Sequence, residues 1–214
     1  MKLKTLDELA QEHHTDKGSP QHDYCGVYER YLADWRNKEF TLLEIGVASG
    51  ASLHMWKEYF PNAKIYGIDN NPDCAKNADN VFIGNQTAAT FLTEVLGKTG
   101  HPDIIIDDGG HIGAETVATF KMLFPHLAGG GFYVVEDTHC FYHPLYSGEN
   151  VVSGRTAVYN FLSDMAYHVD IAGRGMTGQV ERALNWHAEP KVPEFSAMLK
   201  AMHIHTSIWF FEKR

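Results

Sequence analysis

Residues 104–111 read Ile-Ile-Ile-Asp-Asp-Gly-Gly-His, an apolar run that stops at two adjacent carboxylates with an imidazole just beyond. A second apolar run, within Gly129–Asp137, stops at Glu136-Asp137-Thr138-His139. Carboxylates are costly to bury unless something positive sits beside them, so both endings demand an explanation. A third unusual ending is Glu44-Ile45-Gly46-Val47-Ala48-Ser49-Gly50. Gly46 and Gly50 would let the backbone approach a ligand where a side chain would collide. Their spacing, E-x-G-x-x-x-G, is not that of a dinucleotide pyrophosphate site, and no lysine follows to make a phosphate-binding loop. Asp69 ends the next apolar run, where an acid suits the two hydroxyls of a ribose.

These residues matter only if the chain brings them together, and the pattern of elements says how it would. TLLEIGV (41–47), KIYGID (64–69), VFIG (81–84), DIIID (103–107) and GGGFYVVED (129–137) read as strands. Helical patterns lie between them at 51–60, 89–100 and 115–127, the first stopping at Pro61. This alternation implies an α/β, doubly wound fold whose mostly parallel sheet carries helices on both faces. Strands that are apolar almost throughout fit burial on both sides. The first 40 residues look helical and would form a cap. Beyond Pro144 the pattern gives a loop, a helix near 155–169 and a polar, Gly-rich connection. A final strand, IHTSIWFFEK (204–213), would lie antiparallel at the sheet edge. In such sheets ligands bind beyond the carboxyl ends of the strands, where the unusual endings lie.

At 214 residues the chain fits one domain, long enough to bury roughly 70% of the surface its unfolded form exposes. The expected division is a cap over 1–40, a cofactor-binding core over 41–137, and acceptor-side segments over 138–214. A net charge of −9 argues against a nucleic-acid partner. No run of about 18 apolar residues is present, which argues against a membrane partner. The opening MKLKTLDELAQEHH lacks a signal peptide's apolar core. Cys25, Cys74 and Cys140 are odd in number and widely spaced, as expected of reduced thiols in a cytoplasm. The 13 histidines are scattered, so most are expected on the surface or in packing.

The glycine turn followed by an acid on the next strand resembles the S-adenosylmethionine site of class I methyltransferases, over residues 40–137. That resemblance implies a seven-stranded Rossmann-like sheet with an antiparallel C-terminal edge strand. It also makes the strands ending at Asp107-Asp108 and Glu136-Asp137 neighbours, about 4.8 Å apart. Four carboxylates would crowd one rim, and a hard divalent cation, Mg²⁺ above all, would relieve their repulsion.

LLEIGV, SLHMWKEYFPNAKIYGID, DIIIDDGGH and GGGFYVVEDTH further resemble the metal-dependent sugar O-methyltransferases of macrolide biosynthesis, and HTDKGSPQHDY (14–24) resembles their entry segment. Carried over, the resemblance assigns Asp108, Glu136 and Asp137 to Mg²⁺ and makes His111 the general base. Glu44, Gly46, Gly50, Asp69, Gln86 and Asp107 fall on the S-adenosylmethionine side, Gln86 near the adenine. Lys17 is grouped with them through the entry segment, to which His22 and Tyr24 also belong; a plain solvated Asp16–Lys17 pair is the alternative. Cys140-Phe141-Tyr142-His143 departs from the family pattern, and family members are commonly longer. The acceptor would be a small molecule, a sugar or glycoside hydroxyl, and a homo-oligomer is compatible with the resemblance.

The implied reaction moves a methyl group from sulfonium to hydroxyl oxygen in line, with Mg²⁺ acidifying and orienting the hydroxyl and His111 taking its proton. His139 and His143 could contact acceptor hydroxyls or merely pack. Rival readings are a catechol-type methyltransferase and a non-catalytic S-adenosylmethionine-binding protein. A third is a non-haem iron oxygenase using Asp108, His111 and His139.

Overall fold

The structure, a computed structural model, describes residues 3–147, 156–174 and 194–214. Seven strands form one sheet: β1 (Thr41–Ile45), β2 (Lys64–Asp69), β3 (Val81–Ile83), β4 (Ile104–Asp107), β5 (Phe132–Val135), β6 (Leu199–His205) and β7 (Ile208–Lys213). Their order is β3-β2-β1-β4-β5-β7-β6, with β1 to β5 parallel and β7 antiparallel to both neighbours. Helices α3 (Ala51–Tyr59), α4 (Ala89–Thr99) and α5 (Gly113–Leu123) follow β1, β3 and β4. The expected doubly wound fold is what forms.

Alternation along each strand sorts its side chains between two cores. Ile104 and Ile106 enter one cluster with Leu42, Val134, Trp56 and Phe210, beneath α1 (Leu6–Glu12), α2 (Cys25–Leu32) and α3. Ile105 enters the other with Leu43, Phe120, Tyr133 and Phe211, beneath α4, α5 and α7 (Ala157–Arg174). β1, β4 and β5 are covered on both faces, which is why their apolar runs show almost no interruption.

Register fixes where the site can be. Ile45 lies beside Asp107, and Asp107 beside Val135, so β1, β4 and β5 end level with one another. The residues at and just beyond those ends therefore share one rim. The chain leaves β1 toward β2 and β3, then returns to β4 on the other side, so the switch point lies between β1 and β4. There the two backbones nearly touch. A Cβ on Gly46 (φ +95°) would stand 2.0 Å from the Asp108 carbonyl oxygen. Gly46 thus serves the approach of the chain to itself, where the sequence suggested only an approach to a ligand.

Three expectations shift. The N-terminal segment is only partly helical: α1, fixed by a Thr5–Glu8 capping box, and α2 flank a non-helical stretch at 13–24. The helix expected over 115–127 gives way after Leu123 to a 3₁₀ turn at Phe124–His126, because Pro125 has no N–H to continue the ladder. The final strand is two strands, since Ser207 (φ 62°) turns the chain between β6 and β7. β7 sits inside the sheet, buried on both faces through Trp209, Phe210 and Phe211, while β6 forms the edge. The short helices α6 (Pro144–Ser147) and α8 (Glu194–Met198) complete the elements described. The Gly-rich connection expected after α7 lies largely outside the described residues. Among the described residues no helix is long and apolar enough to cross a membrane.

Phe120 is fully buried, with ring contacts of 4.9 Å to Phe124 and Tyr133 and 5.0 Å to Phe211. Phe120→Ala is expected to cost about 3–5 kcal/mol in urea unfolding, through lost burial plus the cavity left behind. A cost under about 1 kcal/mol would show that this face of the sheet is not the packed core described.

Candidate active site

The positive charge that the two acidic strand ends require is already present. Lys17, on the loop between α1 and α2, is only 1% exposed, so it is no part of a solvated pair with Asp16, which is exposed. Its Nζ lies 2.5 Å from Asp108 Oδ2, 2.8 Å from Glu136 Oε2 and 3.3 Å from Glu44 Oε1. Lys17 therefore joins the ends of β1, β4 and β5. Glu136 is also held by the Tyr28 hydroxyl, which donates to Oε1.

Each aspartate of the rim has one oxygen anchored and one turned outward. Asp108 gives Oδ2 to Lys17, while Oδ1 lies 4.0 Å from His111 Nε2. Asp137 accepts from the Tyr24 hydroxyl at Oδ1 (2.6 Å), and its Oδ2 lies 3.5 Å from the same His111 nitrogen. Asp108, His111 and Asp137 thus offer three ligand atoms within 4.8 Å of one another. Octahedral Mg²⁺ with bonds of about 2.1 Å sets its ligands about 3–4 Å apart, so a slight contraction of the two carboxylates fits such an ion, with His111 beside it. His111 (φ 55°) and Asp137 (φ 52°) both adopt the left-handed backbone region. Such strain persists where surrounding structure enforces it, and it recurs at functional sites.

The glycine turn and the acidic trio open onto one cavity of about 580 Å³, a size suited to a small-molecule ligand. Gly46, Asp69, Gln86, Asp108, His111, Asp137 and Lys17 all line it. Asp69 receives the Val47 and Ala48 N–H groups at 2.9 and 3.1 Å and that of Asn71 at 2.8 Å, so it shapes the turn as well as facing the cavity. Burial would raise its pKa, but these N–H donors outweigh that and hold it below the ordinary carboxylate value. Gln86 donates to Thr119 Oγ1 at 3.1 Å.

Four other residues from the sequence reading lie behind this lining, Glu136 with its Lys17 and Tyr28 partners among them. Glu44 is wholly buried, its Oε2 receiving the Ser52 hydroxyl and the Trp56 indole N–H at 3.0 and 3.1 Å. Asp107 accepts from the Tyr133 hydroxyl at 2.9 Å beneath Gln86. Gly50 (φ +80°) stands where a Cβ would meet the Asn77 carbonyl oxygen at 2.5 Å.

On the other flank, His22 and His139 approach Asp137 Oδ1 at 3.6 and 3.9 Å, and His22 stacks on Tyr24. His139 pairs with Ser207 at 2.9 Å, and His143 accepts the Leu145 N–H at 3.2 Å. Among the described residues the ligand-type cluster is therefore two carboxylates and one histidine, without His139 and without Glu136, whose two oxygens are held by Lys17 and Tyr28.

One ammonium cannot balance this many carboxylates. Burial by itself would lower the Lys17 pKa, yet Asp108, Glu136 and Glu44 raise it well above its ordinary value, so it remains charged. Burial and mutual repulsion push Glu136 and Asp108 upward, and burial pushes Glu44 up to about 7 against the pull of Lys17. The surplus negative charge is relieved either by shared protons or by a second cation.

Sequence reasoning missed the hydroxyl anchors Tyr28 and Tyr133, and the Ser52 and Trp56 that hold Glu44. A signal existed for some of them. Tyr24 and Tyr28 are four apart, as are Ser52 and Trp56, the spacing that puts two side chains on one helical face. Nothing in the strand pattern marks Tyr133 apart from its neighbours.

No family model matches the chain. It is 39% identical over 165 residues to the L-olivosyl-oleandolide 3-O-methyltransferase of Streptomyces antibioticus, covering 72% of this chain and 43% of that protein. It is 33% identical over 224 residues to the 8-demethyl-8-(2-methoxy-alpha-L-rhamnosyl)-tetracenomycin-C 3'-O-methyltransferase of Streptomyces olivaceus, covering 97% of this chain and 53% of that protein. The chain thus spans about half the length of the curated relatives it matches. Among solved structures it superposes on the mycinamycin-pathway methyltransferase MycE in complex with Mg, SAH and mycinamycin VI. The TM-score is 0.83 at 28% identity, covering 98% of this chain and 53% of that one.

Asp107 generates a pH prediction of its own. Burial above all pushes its carboxyl up to about 7, with Tyr133 opposing and the Asp108 charge adding to the rise. The unfolded chain releases that proton near pH 4, so stability is full below about pH 4 and is lost as pH rises through about 7. Asp107→Asn keeps the neutral form throughout, and the fall of Tm between about pH 4 and 7 is expected to flatten. A slope unchanged by the substitution would place the titration elsewhere.

Proposed function

Because this chain is a relative of bacterial sugar O-methyltransferases and has the fold of one of them, we propose that it is a Mg²⁺-dependent, S-adenosylmethionine-dependent O-methyltransferase. Its acceptor is a hydroxyl of a sugar or glycosylated small molecule. The observation that carries this reading is that the glycine turn with Asp69 and the Asp108–His111–Asp137 trio line the same cavity. A methyl donor and a metal-steered hydroxyl need that adjacency, and two unrelated sites would not.

S-adenosylmethionine supplies the methyl group, and Mg²⁺ supplies the charge that acidifies and directs the accepting hydroxyl. The chain does the rest. Asp69 faces the ribose hydroxyls, the Gly46–Gly50 turn shapes the cavity wall beside it, and Gln86 borders the adenine. Asp108 and Asp137 would hold the metal through their outward oxygens, and Glu136, now held by Lys17 and Tyr28, is the third acid assigned to it. His111 Nε2, on the cavity side of both aspartates, accepts the proton that the hydroxyl gives up. The anchors Lys17, Tyr24 and Tyr28 fix the carboxylates in place before either ligand arrives, the orientational part of the catalysis. In this reading the described residues up to 40 cap the site, 41–137 form the cofactor-binding core, and the acceptor side is drawn from the segments beyond 137, of which 148–155 and 175–193 lie outside the described residues. This chain forms one methyltransferase domain that works in the cytoplasm on a small-molecule acceptor, an arrangement compatible with a homo-oligomer and requiring neither nucleic acid nor a membrane.

Calorimetry with S-adenosylmethionine and Mg²⁺ on the wild type, Asp108→Ala and His111→Ala tests this reading. Asp108→Ala is expected to keep its S-adenosylmethionine affinity while losing Mg²⁺ binding. His111→Ala is expected to keep S-adenosylmethionine binding while turnover of a glycoside acceptor falls by about 10²–10⁴-fold, the usual share of a general base. Absence of S-adenosylmethionine binding by the wild type would remove the assignment.

A further inference from the structure

Lys17 holds carboxylates that the metal reading also claims. Its Nζ reaches Asp108 Oδ2 at 2.5 Å and Glu136 Oε2 at 2.8 Å, and both residues belong to the acidic set assigned to Mg²⁺ above. On its other side, 3.3 Å away, lies Glu44 Oε1. That atom is the buried side-chain oxygen left without a hydrogen-bond partner among the described residues. Its twin Oε2 is satisfied twice, by Ser52 and Trp56, so Glu44 cannot turn to find a partner without losing two. A buried carboxylate oxygen in that state is costly, and an ammonium within reach could relieve it. The backbone of Lys17 is pinned, its carbonyl accepting from the Tyr24 N–H at 2.9 Å and from the Cys25 thiol at 3.3 Å. Its four-carbon stem remains free to redirect the ammonium.

Resting on the metal reading above, we propose that Lys17 is a tethered counter-cation. In the metal-free protein it sits closest to Asp108 and Glu136, with Glu44 Oε1 at 3.3 Å, and it closes on Glu44 Oε1 when a divalent cation takes an oxygen of Glu136 and draws Asp108 toward itself. Lys17 and Glu44 are then positioning residues, neither of them touching the acceptor. The exchange solves a folding problem and a binding problem together. Without the ammonium, three buried carboxylates would face one another during folding, which is strongly unfavourable. An ammonium that could not retreat would stay against the metal, like charge against like charge. Glu44 provides the retreat.

The test measures Mg²⁺ affinity by calorimetry, and Tm with and without MgCl₂, for the wild type, Lys17→Met, Glu44→Gln and the double variant. Lys17→Met is expected to melt lower without Mg²⁺, to bind Mg²⁺ about tenfold more tightly, and to recover much of its lost Tm when Mg²⁺ is added. Glu44→Gln is expected to bind Mg²⁺ about tenfold more weakly, because the displaced ammonium then meets only a neutral amide. In the Lys17→Met background the Glu44 change is expected to do nothing, since no ammonium remains to be received. Two fixed charges acting independently would instead give additive effects. Additivity, or weaker Mg²⁺ binding by Lys17→Met, would overturn the proposal while leaving the metal site intact. Should Lys17→Met fail to fold, the double variant, which removes both buried charges, takes its place. It should bind Mg²⁺ more tightly than the wild type does, and equal or weaker binding overturns the proposal. If neither the wild type nor any variant binds Mg²⁺, the metal reading falls and the proposal with it.

Discussion

The structure around the cavity depends on one buried ammonium. Lys17 stands among the carboxylates at or near the ends of β1, β4 and β5, and each of those strands can carry an acid there because this ammonium lies within 3.3 Å of it. A lysine is suited to this place. Its charge is compact, and its long stem reaches the sheet rim from a loop on the cap. The loop at 13–24 is consequently more than a connection between two helices. It carries the charge that makes an acidic rim compatible with a folded, buried sheet edge.

From that constraint follows a division of labour among oxygens. Asp108 and Asp137 each have one oxygen held from within, by Lys17 and Tyr24, and one turned toward His111. Anchoring restricts the carboxylates to one orientation before a ligand arrives, so less ordering remains to be done on binding. Glu136, with Lys17 and Tyr28 on its two oxygens, ties the rim to the cap helices. The left-handed backbone at His111 and Asp137 belongs to the same arrangement, since it aims side chains that a relaxed chain would direct elsewhere.

Much of this was legible in the sequence. The strands at 41–47, 64–69, 103–107 and 129–137 announced themselves as apolar runs, because strands covered on both faces cannot alternate with polar residues. The acidic endings stood out for the opposite reason, as charges where burial was expected. Other features were not legible. Ser207 turns the chain between β6 and β7 without glycine or proline to mark the break. Gly46 looked like an opening for a ligand and does line the cavity, but nothing in the pattern told that the Asp108 carbonyl is also pressed against it. Tyr133 could not be told from an ordinary strand residue, since its hydroxyl matters only in relation to Asp107.

By itself, then, the sequence determined the α/β order of elements, the strand ends that carry the chemistry, and the residue types suited to a cation and a ribose. Those are properties of local pattern, and periodicity records them directly. Only the tertiary structure decided which acids meet, which oxygens remain outward, and where the positive charge comes from. Lys17 is 91 residues from Asp108 and 119 from Glu136 along the chain. No periodicity spans such distances. The packing of the cap on the sheet brings the ammonium to the carboxylates, and burial makes their meeting obligatory.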